Sequence, residues 1–256
     1  MRETTIDVRG ASVRAFEAGS GPLVLYLHGA DGPRDNPLLH ALAASHRVLM
    51  PEMPGFGRAP LPDWMMSVAD AALFGLDLVD AVGGRPLDVV GYCVGGWIAA
   101  EMAIRDPHAF ATMSLIAPMG VQSPSDLGFD PFAVSPDEAL RAQFHDAAKA
   151  EAEIAARADE EIDILLQNRT GLARLGWTPR FANLQLPHWL HRVRARTLLL
   201  WGDNDRYAPA DCSVIFAREI AGAQVESYAA CGHALPWERG ADAAGRITSF
   251  LAGARR

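Results

Sequence analysis

The chain has 256 residues, of which 50% are hydrophobic and 21% are charged, and its formal net charge is −8. The scattered basic residues and the negative charge argue against a nucleic-acid or acidic-membrane surface, because phosphate binding requires clustered Lys and Arg. The polar start and the lack of an apolar run of about 18 residues argue against a secretion signal or a membrane span. We therefore expect a cytoplasmic protein with no nucleic-acid and no membrane partner.

The first stretch, TTIDVRGASVRAFEAG, alternates apolar and polar residues on either side of Gly10. This period of two predicts a β-hairpin with one face in water. The segments PLVLYLHG and RVLMPE are short continuous apolar runs. Such runs predict strands that are buried on both faces of a parallel sheet.

Helical and strand-like segments then alternate. The helical patterns NPLLHALAAS and MMSVADAALFGLDLVDAVG precede the strand-like LDVVGY, which is followed by the helical VGGWIAAEMAIRD and the strand-like ATMSLIAP. This alternation predicts an α/β fold with a mostly parallel sheet and right-handed crossovers.

The alternation stops after Pro118 and strand-like residues return only at ARTLLLWG. We interpret residues 121–187 as a helical lid inserted into a core formed by residues 1–120 and 188–256. Within the lid, the spacing of five apolar residues predicts one helical face. These residues are Ile154, Ala158, Ile162, Leu165 and Leu166.

The segment from Gly91 to Gly95, GYCVG, joins a predicted strand directly to a predicted helix. Glycines on both sides of Cys93 allow a very tight turn that lifts the thiol clear of the sheet. The N–H groups that begin the helix favour negative charge on a thiolate or on an oxyanion. The alternative is that Cys93 is only a small buried residue in a glycine-rich turn. The other cysteines, Cys212 and Cys231, are interpreted as reduced core thiols.

A nucleophile needs a base, and the base needs an orienting group. His233 follows the last predicted strand in GHALPWE, and Asp203 and Asp205 follow an earlier strand in WGDNDRYAP. The order nucleophile, acid, histidine is the order found in α/β-hydrolases.

Over essentially its whole length the chain resembles the lid-bearing branch of the α/β-hydrolase superfamily. The resemblance rests on the segments YLHGADG, PEMPGFGRA, GYCVGG, WGDNDRYAP and GHALPWE. It implies an eight-stranded, mostly parallel sheet flanked by helices and an inserted helical lid.

The resemblance also assigns roles to residues. It makes Cys93 the nucleophile, His233 the base and Asp205 the orienting acid, with Asp203 as second choice. The backbone N–H groups of Ala30 and Val94 would form the oxyanion hole. His28 is expected to be structural.

The sequence departs from the family at the nucleophile, which is usually serine. The elbow GYCVGG resembles that of dienelactone hydrolases, a cysteine-using branch, and we treat this match as local. Carbon–carbon bond hydrolases of this type often carry Asn before the nucleophile and Trp soon after the histidine. Tyr92 and Leu235 stand there instead, which argues against a dienol-ketone substrate.

We expect a hydrolase that cleaves a small ester, lactone, thioester or activated ketone through a Cys-His-Asp triad and a thioester acyl-enzyme. One alternative is an acyltransferase with an acceptor other than water, and another is a non-catalytic ligand-binding protein. Tyr92, Trp177 and Leu235 are predicted to contact the small-molecule substrate. We expect no cofactor and no metal, and a homodimer remains open.

Overall fold

The computed structural model describes residues 1–123, 129–157 and 162–253. The chain begins with the predicted hairpin, formed by β1 (Arg2–Val8) and β2 (Ala11–Ala18) in antiparallel pairing. Arg9 and Gly10 connect them with φ angles of 54° and 85°. Both values lie in the left-handed region, which suits the tight turn of a two-residue hairpin loop.

The other described strands complete a sheet of eight. They are β3 (Leu23–Leu27), β4 (Arg47–Pro51), β5 (Leu87–Tyr92), β6 (Phe110–Ile116), β7 (Arg196–Gly202) and β8 (Gln224–Tyr228). The strand order is β1-β2-β4-β3-β5-β6-β7-β8, and all pairs from β4 to β8 are parallel. The mostly parallel α/β sheet predicted from the sequence is therefore confirmed.

Helices connect the parallel strands and cover the sheet. In the core they are α1 (Pro37–Ala43), α2 (Val68–Val82), α3 (Val94–Arg105), α8 (Cys212–Glu219), α9 (Leu235–Glu238) and α10 (Gly240–Gly253). The helix α2 ends at Gly83, whose φ of 82° is the glycine stop expected from the sequence. Consecutive residues of a strand point to opposite faces, and both Val89 and Val90 of β5 and both Leu198 and Leu199 of β7 are fully buried, so the central strands are covered on both faces.

Between β6 and β7 the chain forms α4 (Pro136–Gln143), α5 (Ala147–Ala156), α6 (Ile162–Gly176) and α7 (Leu186–Trp189), followed by a 3-10 turn at Leu190–Arg192. We call residues 121–187 the insertion. Its two ends meet, because Asn183 N donates to Gly120 O at 2.8 Å and Gly120 N donates to Phe181 O at 3.3 Å.

The apolar face predicted for the insertion is divided between two helices. Ile154 lies in α5 and Ile162 in α6, so the spacing does not run along one helix. Ile162 and Leu166 are 71% and 55% exposed, and Ala158 lies outside the described residues.

In the part of the chain that the structure describes, no helix has both the length and the apolar character needed to cross a bilayer.

Candidate active site

Cys93 occupies the tight turn between β5 and α3 that the sequence predicts. Its φ of 55° and ψ of −120° are unusual for a residue with a side chain, and such strain is often found at functional sites. The turn requires glycine beside it, because a Cβ on Gly95 would lie 2.2 Å from Leu27 O and 2.5 Å from His28 O. The elbow is therefore pressed directly onto the end of β3.

The thiol of Cys93 lines a cavity although the residue is only 3% exposed. Its Sγ lies 3.4 Å from the Sδ of Met119, which follows β6. Met119 N also donates to Cys93 O at 3.1 Å. The nucleophile candidate is thus fixed by backbone bonds and packed against an apolar, polarizable neighbour.

His233 and Asp205 meet as the family pattern predicts. His233 Nδ1 lies 2.8 Å from Asp205 Oδ2, and both side chains are almost fully buried. Asp205 Oδ1 accepts from the N–H groups of Tyr207 and Ala208, each at 2.9 Å. These two bonds fix the orientation of the carboxylate. Because Nδ1 of His233 faces Asp205, Nε2 at the opposite edge of the ring points away from Asp205.

Asp203, the second choice for the acid, lies elsewhere. It is exposed and accepts a hydrogen bond from the Ser227 hydroxyl on β8. The two aspartates are two residues apart after β7, and only Asp205 turns inward to His233.

The electrostatics of His233 favour its charged form. Burial disfavours the imidazolium, but the Asp205 carboxylate and the Cys93 thiolate outweigh burial and raise the pKa of His233 to about 10. Nδ1 faces Asp205, and the other side chain that hydrogen-bonds to the buried ring and helps to raise its pKa is Cys93. The ring lies between Tyr92 and Tyr207, with centroid distances of 5.3 and 5.1 Å. A buried, charged nitrogen is therefore available for a thiolate or a substrate.

Ala30 and Val94, predicted to supply the oxyanion N–H groups, lie on adjoining segments. Val94 is the first residue of α3, whose N-terminus follows Cys93. Gly29, which precedes Ala30, approaches the elbow so closely that a Cβ there would lie 2.7 Å from the Tyr92 ring and 3.4 Å from Cys93 Cβ. Ala30 also lines the cavity that contains the thiol.

His28 has a structural role. Its Nε2 accepts from Met53 N at 3.1 Å, and its Nδ1 lies 2.8 Å from Gly29 O. Burial lowers the pKa of His28 to about 4, so the ring stays neutral. It joins the loop after β3 to the loop after β4.

Two cavities adjoin each other, and Cys93 lines one of them. The first, of about 440 Å³, contains the thiol and has a mainly apolar lining. Its apolar side chains include Met119, Val121, Phe129, Phe181, Ala182 and Cys212. We call it the thiol cavity.

The second cavity, of about 420 Å³, lies beneath the insertion and carries more polar groups. These include Asp31, Gln143, Arg157, Asn168 and Arg169. We call it the polar cavity. The two cavities share Ala30, Pro131, Leu172 and Tyr207.

Among the described lining residues of both cavities, the predicted contacts Tyr92, Trp177 and Leu235 do not occur. The Tyr92 ring packs against the His233 ring, and Leu235 is fully buried at the start of α9. Trp177 is 50% exposed, and the Arg180 guanidinium stacks over it at 3.8 Å. Their role as substrate contacts therefore stays a prediction. Position next to a catalytic motif does not fix the direction of a side chain.

Three residues that lie close to Cys93 or to the His233 loop were not among the predicted site residues: Gln143, Met119 and Tyr207. Tyr207 could have been found from its place two residues after Asp205. The positions of Gln143 and Met119 could not be predicted from a sequence pattern, because both depend on contacts between distant parts of the chain.

Fold and site together define an α/β-fold hydrolase. The model of the α/β hydrolase fold family matches residues 22–240, and the chain belongs to that family. It is an enzyme of the hydrolase type, like the relatives that are named as hydrolases.

The chain is similar to 2-hydroxy-6-oxo-6-phenylhexa-2,4-dienoate hydrolase of Burkholderia cepacia, with 28% identity over 97% of this chain and 95% of that protein. It is equally similar, at 28%, to the dihydrolipoyllysine-residue acetyltransferase component of the acetoin cleaving system of Cupriavidus necator, covering 96% of this chain and 68% of that protein. Among solved structures, a meta-cleavage product hydrolase from Pseudomonas fluorescens superimposes with a TM-score of 0.83 at 20% identity, over 98% of each chain. At this identity the superposition with the Pseudomonas fluorescens enzyme shows a shared fold.

Proposed function

We propose that this hydrolase cleaves a small carbonyl compound, an ester, lactone, thioester or activated ketone, through a Cys93-His233-Asp205 triad. One observation carries the proposal: a thiol on a strained elbow lines a cavity beside a buried histidine that is bonded to a buried aspartate. Nucleophile, base and orienting acid in this relation form the arrangement that acyl transfer requires.

The reaction begins with the Cys93 thiolate and the His233 imidazolium as an ion pair. The sulfur attacks the substrate carbonyl, and the carbonyl electrons move onto oxygen, where the N–H groups of Ala30 and Val94 stabilise them. The oxyanion collapses, the bond to the leaving group breaks, and His233 Nε2 gives its proton to the leaving group. The result is a thioester on Cys93 and a neutral His233.

Water completes the cycle. His233 Nε2 takes a proton from water as the oxygen attacks the thioester carbonyl. Collapse of the second oxyanion expels the Cys93 thiolate and releases a carboxylic acid. The ion pair is restored without any cofactor.

The thiol cavity supports an apolar group next to the reacting carbonyl. Its volume of about 440 Å³ and its lining of Met119, Val121, Phe129 and Phe181 suit a short alkyl or aryl group. The polar cavity adjoins it at Ala30 and suits a more polar half on the other side of the scissile bond.

A second candidate is the cleavage of a carbon–carbon bond beside a ketone. It is favoured by the full-length relative from Burkholderia cepacia, whose name specifies a 2-hydroxy-6-oxodienoate. In that case the leaving group is a carbanion that His233 protonates, and the acyl-enzyme step is unchanged. Arg169 in the polar cavity offers a positive charge to an acidic half of such a substrate.

Steady-state kinetics with two kinds of substrate test the proposal. Wild type, Cys93→Ala and Cys93→Ser are compared on p-nitrophenyl butyrate and on 2-hydroxy-6-oxo-6-phenylhexa-2,4-dienoate. We expect Cys93→Ala to lose turnover on whichever substrate wild type accepts. Turnover that survives in Cys93→Ala would contradict the triad, and the preferred substrate decides between ester and carbon–carbon cleavage.

The name of the Cupriavidus necator relative motivates one further arm of this experiment. Adding a thiol or an amine to the ester assay reveals acyl transfer as a new acylated product. Product that remains only the free acid supports hydrolysis.

A further inference from the structure

Gln143, the last residue of α4 in the insertion, makes three hydrogen bonds to the loops of the proposed site. Its Oε1 accepts from the Tyr92 hydroxyl at 3.4 Å, and its Nε2 donates to Asp31 Oδ2 at 3.2 Å. Its backbone oxygen accepts from Ala234 N at 2.9 Å.

Each of these partners is one residue away from a proposed catalytic group. Tyr92 precedes Cys93, and Ala234 follows His233. Asp31 follows Ala30. One residue of the insertion is thus bonded to the elbow, the histidine loop and the oxyanion loop.

The contact with the histidine loop is tight. A Cβ on Gly232 would lie 2.4 Å from Gln143 O and 2.9 Å from His145 N. Glycine is needed there because the end of α4 packs on the backbone that carries His233. Gln143 itself is only 8% exposed, so water cannot easily replace its bonds.

The amide group suits both of its side-chain partners. A hydroxyl donates to its oxygen while its nitrogen donates to a carboxylate, and glutamate or methionine of similar size cannot do both. Burial disfavours the charge on Asp31, but Arg157 and Gln143 outweigh burial and lower the pKa of Asp31. The carboxylate of a Gln143→Glu variant would therefore lie against the carboxylate of Asp31.

We propose that Gln143 is a positioning residue that fixes the oxyanion loop and the histidine loop relative to the Cys93 elbow. The proposal rests on the proposed function, in which Cys93 is acylated and Ala30 supplies an oxyanion donor. The Gln143 side chain acts through Asp31 and Tyr92, whereas the bond to Ala234 comes from the backbone and is kept in side-chain variants. Loss of the amide therefore changes the placement of the oxyanion loop against the elbow, and with it the geometry of acyl transfer.

The test measures the rate of Cys93 acylation from the nitrophenol burst with p-nitrophenyl butyrate. We expect Gln143→Met and Gln143→Glu to lower kcat and the burst rate by about 10- to 100-fold while KM changes little, since small misplacements of reacting groups have effects of this size. The matched control is Gln167→Met. Gln167 also joins the insertion to the core, through a 2.5 Å bond to Ala59 O, but it contacts none of the three loops.

A rescue experiment separates positioning from packing. Asp31→Asn added to Gln143→Glu removes the facing charge, and the amide introduced at position 31 can then donate to the carboxylate introduced at position 143. We expect the double variant to recover to within about threefold of Asp31→Asn alone, because the donor and acceptor have only exchanged sides. Thermal unfolding of every variant monitors folding.

Folded Gln143→Met with the wild-type burst rate would overturn the proposal. If Gln143→Met does not fold, failure of Asp31→Asn to rescue Gln143→Glu overturns it instead. Wild type without an acyl adduct on Cys93 would show that the proposed function has failed, and this inference would fall with it. A normal wild-type burst with unaffected Gln143 variants would refute the positioning role alone.

Discussion

At the scale of single residues, Cys93 and His233 depend on each other. A thiolate needs a cation nearby, and the imidazolium is favoured by two negative partners, Asp205 and Cys93 itself. Asp205 in turn is held by two backbone N–H groups, so its carboxylate is oriented before any substrate binds. The raised pKa of His233 therefore favours a protonated imidazole between Asp205 and Cys93 before substrate binds.

The two aspartates after β7 give a matched pair of variants. We expect Asp205→Asn to lower the acylation rate by at least about 100-fold, because the amide no longer stabilises the imidazolium or fixes its tautomer. Asp203→Asn should leave the rate unchanged, because Asp203 bonds to Ser227 at the surface, away from His233. Stopped-flow measurement of the burst checks both, and equal effects of the two substitutions would refute the assignment of Asp205.

The raised pKa of His233 predicts how stability depends on pH. The folded state keeps the His233 proton up to about pH 10, whereas the unfolded chain loses it near the ordinary histidine value of 6.5. The contribution is thus fully present below pH 6.5 and is lost as pH rises to about 10, with a slope of at most about 1.4 kcal/mol per pH unit.

Urea unfolding of wild type and His233→Gln between pH 6 and pH 10 measures this difference. We expect the advantage of wild type over the variant to shrink steadily across that range. A constant difference would mean that the His233 charge is the same in both states.

At the scale of elements, the elbow between β5 and α3 is held by close backbone contact. Gly95→Ala would place a methyl group 2.2 Å from Leu27 O. We expect the substitution to lower the free energy of unfolding by more than about 2 kcal/mol, because neither backbone can move without disturbing the sheet.

Gly245→Ala in α10 is the control for this prediction. A Cβ there meets nothing within 4 Å, so the substitution should raise the free energy of unfolding by up to about 1 kcal/mol through helix propensity. Chemical denaturation measures both variants. A Gly95→Ala protein as stable as wild type would refute the close approach of α3 to β3.

The elements also show where prediction from sequence ends. The strand-to-helix elbow at Cys93 was predictable because glycine spacing and strand pattern are local. The aspartate and the histidine followed from resemblance, and their contact is seen only in the folded chain. The division of this stretch into α5 and α6 was not predictable, because its apolar spacing in the sequence continues from Ile154 in α5 to Ile162 in α6.

At the scale of the whole molecule, the insertion and the sheet enclose two unlike cavities. Residues from the loop after β6, from α6 and from the loop after β7 meet around the thiol, among them Met119, Leu172 and Tyr207. No sequence pattern predicts that these residues come together, because they are far apart in the chain. Sequence position therefore placed Cys93 at the elbow but did not place Tyr92, Trp177 and Leu235 relative to the two cavities.

The thiol cavity should limit the size of the acyl group. Val121→Phe adds a ring to this cavity, so we expect kcat/KM for a p-nitrophenyl octanoate to fall at least about tenfold relative to that for the acetate. Val225→Phe makes the same substitution at an exposed site on β8 and should leave the ratio unchanged. An unaltered ratio in Val121→Phe would place the acyl group outside this cavity.

The central claim is that Cys93 is the residue that becomes acylated. Intact-protein mass spectrometry after brief mixing with p-nitrophenyl butyrate tests it most directly, with wild type, Cys93→Ala and His233→Ala side by side. We predict one butyryl adduct on wild type, none on Cys93→Ala, and slow formation on His233→Ala. An adduct of equal amount on Cys93→Ala, or ester turnover by wild type without any adduct, would contradict the account.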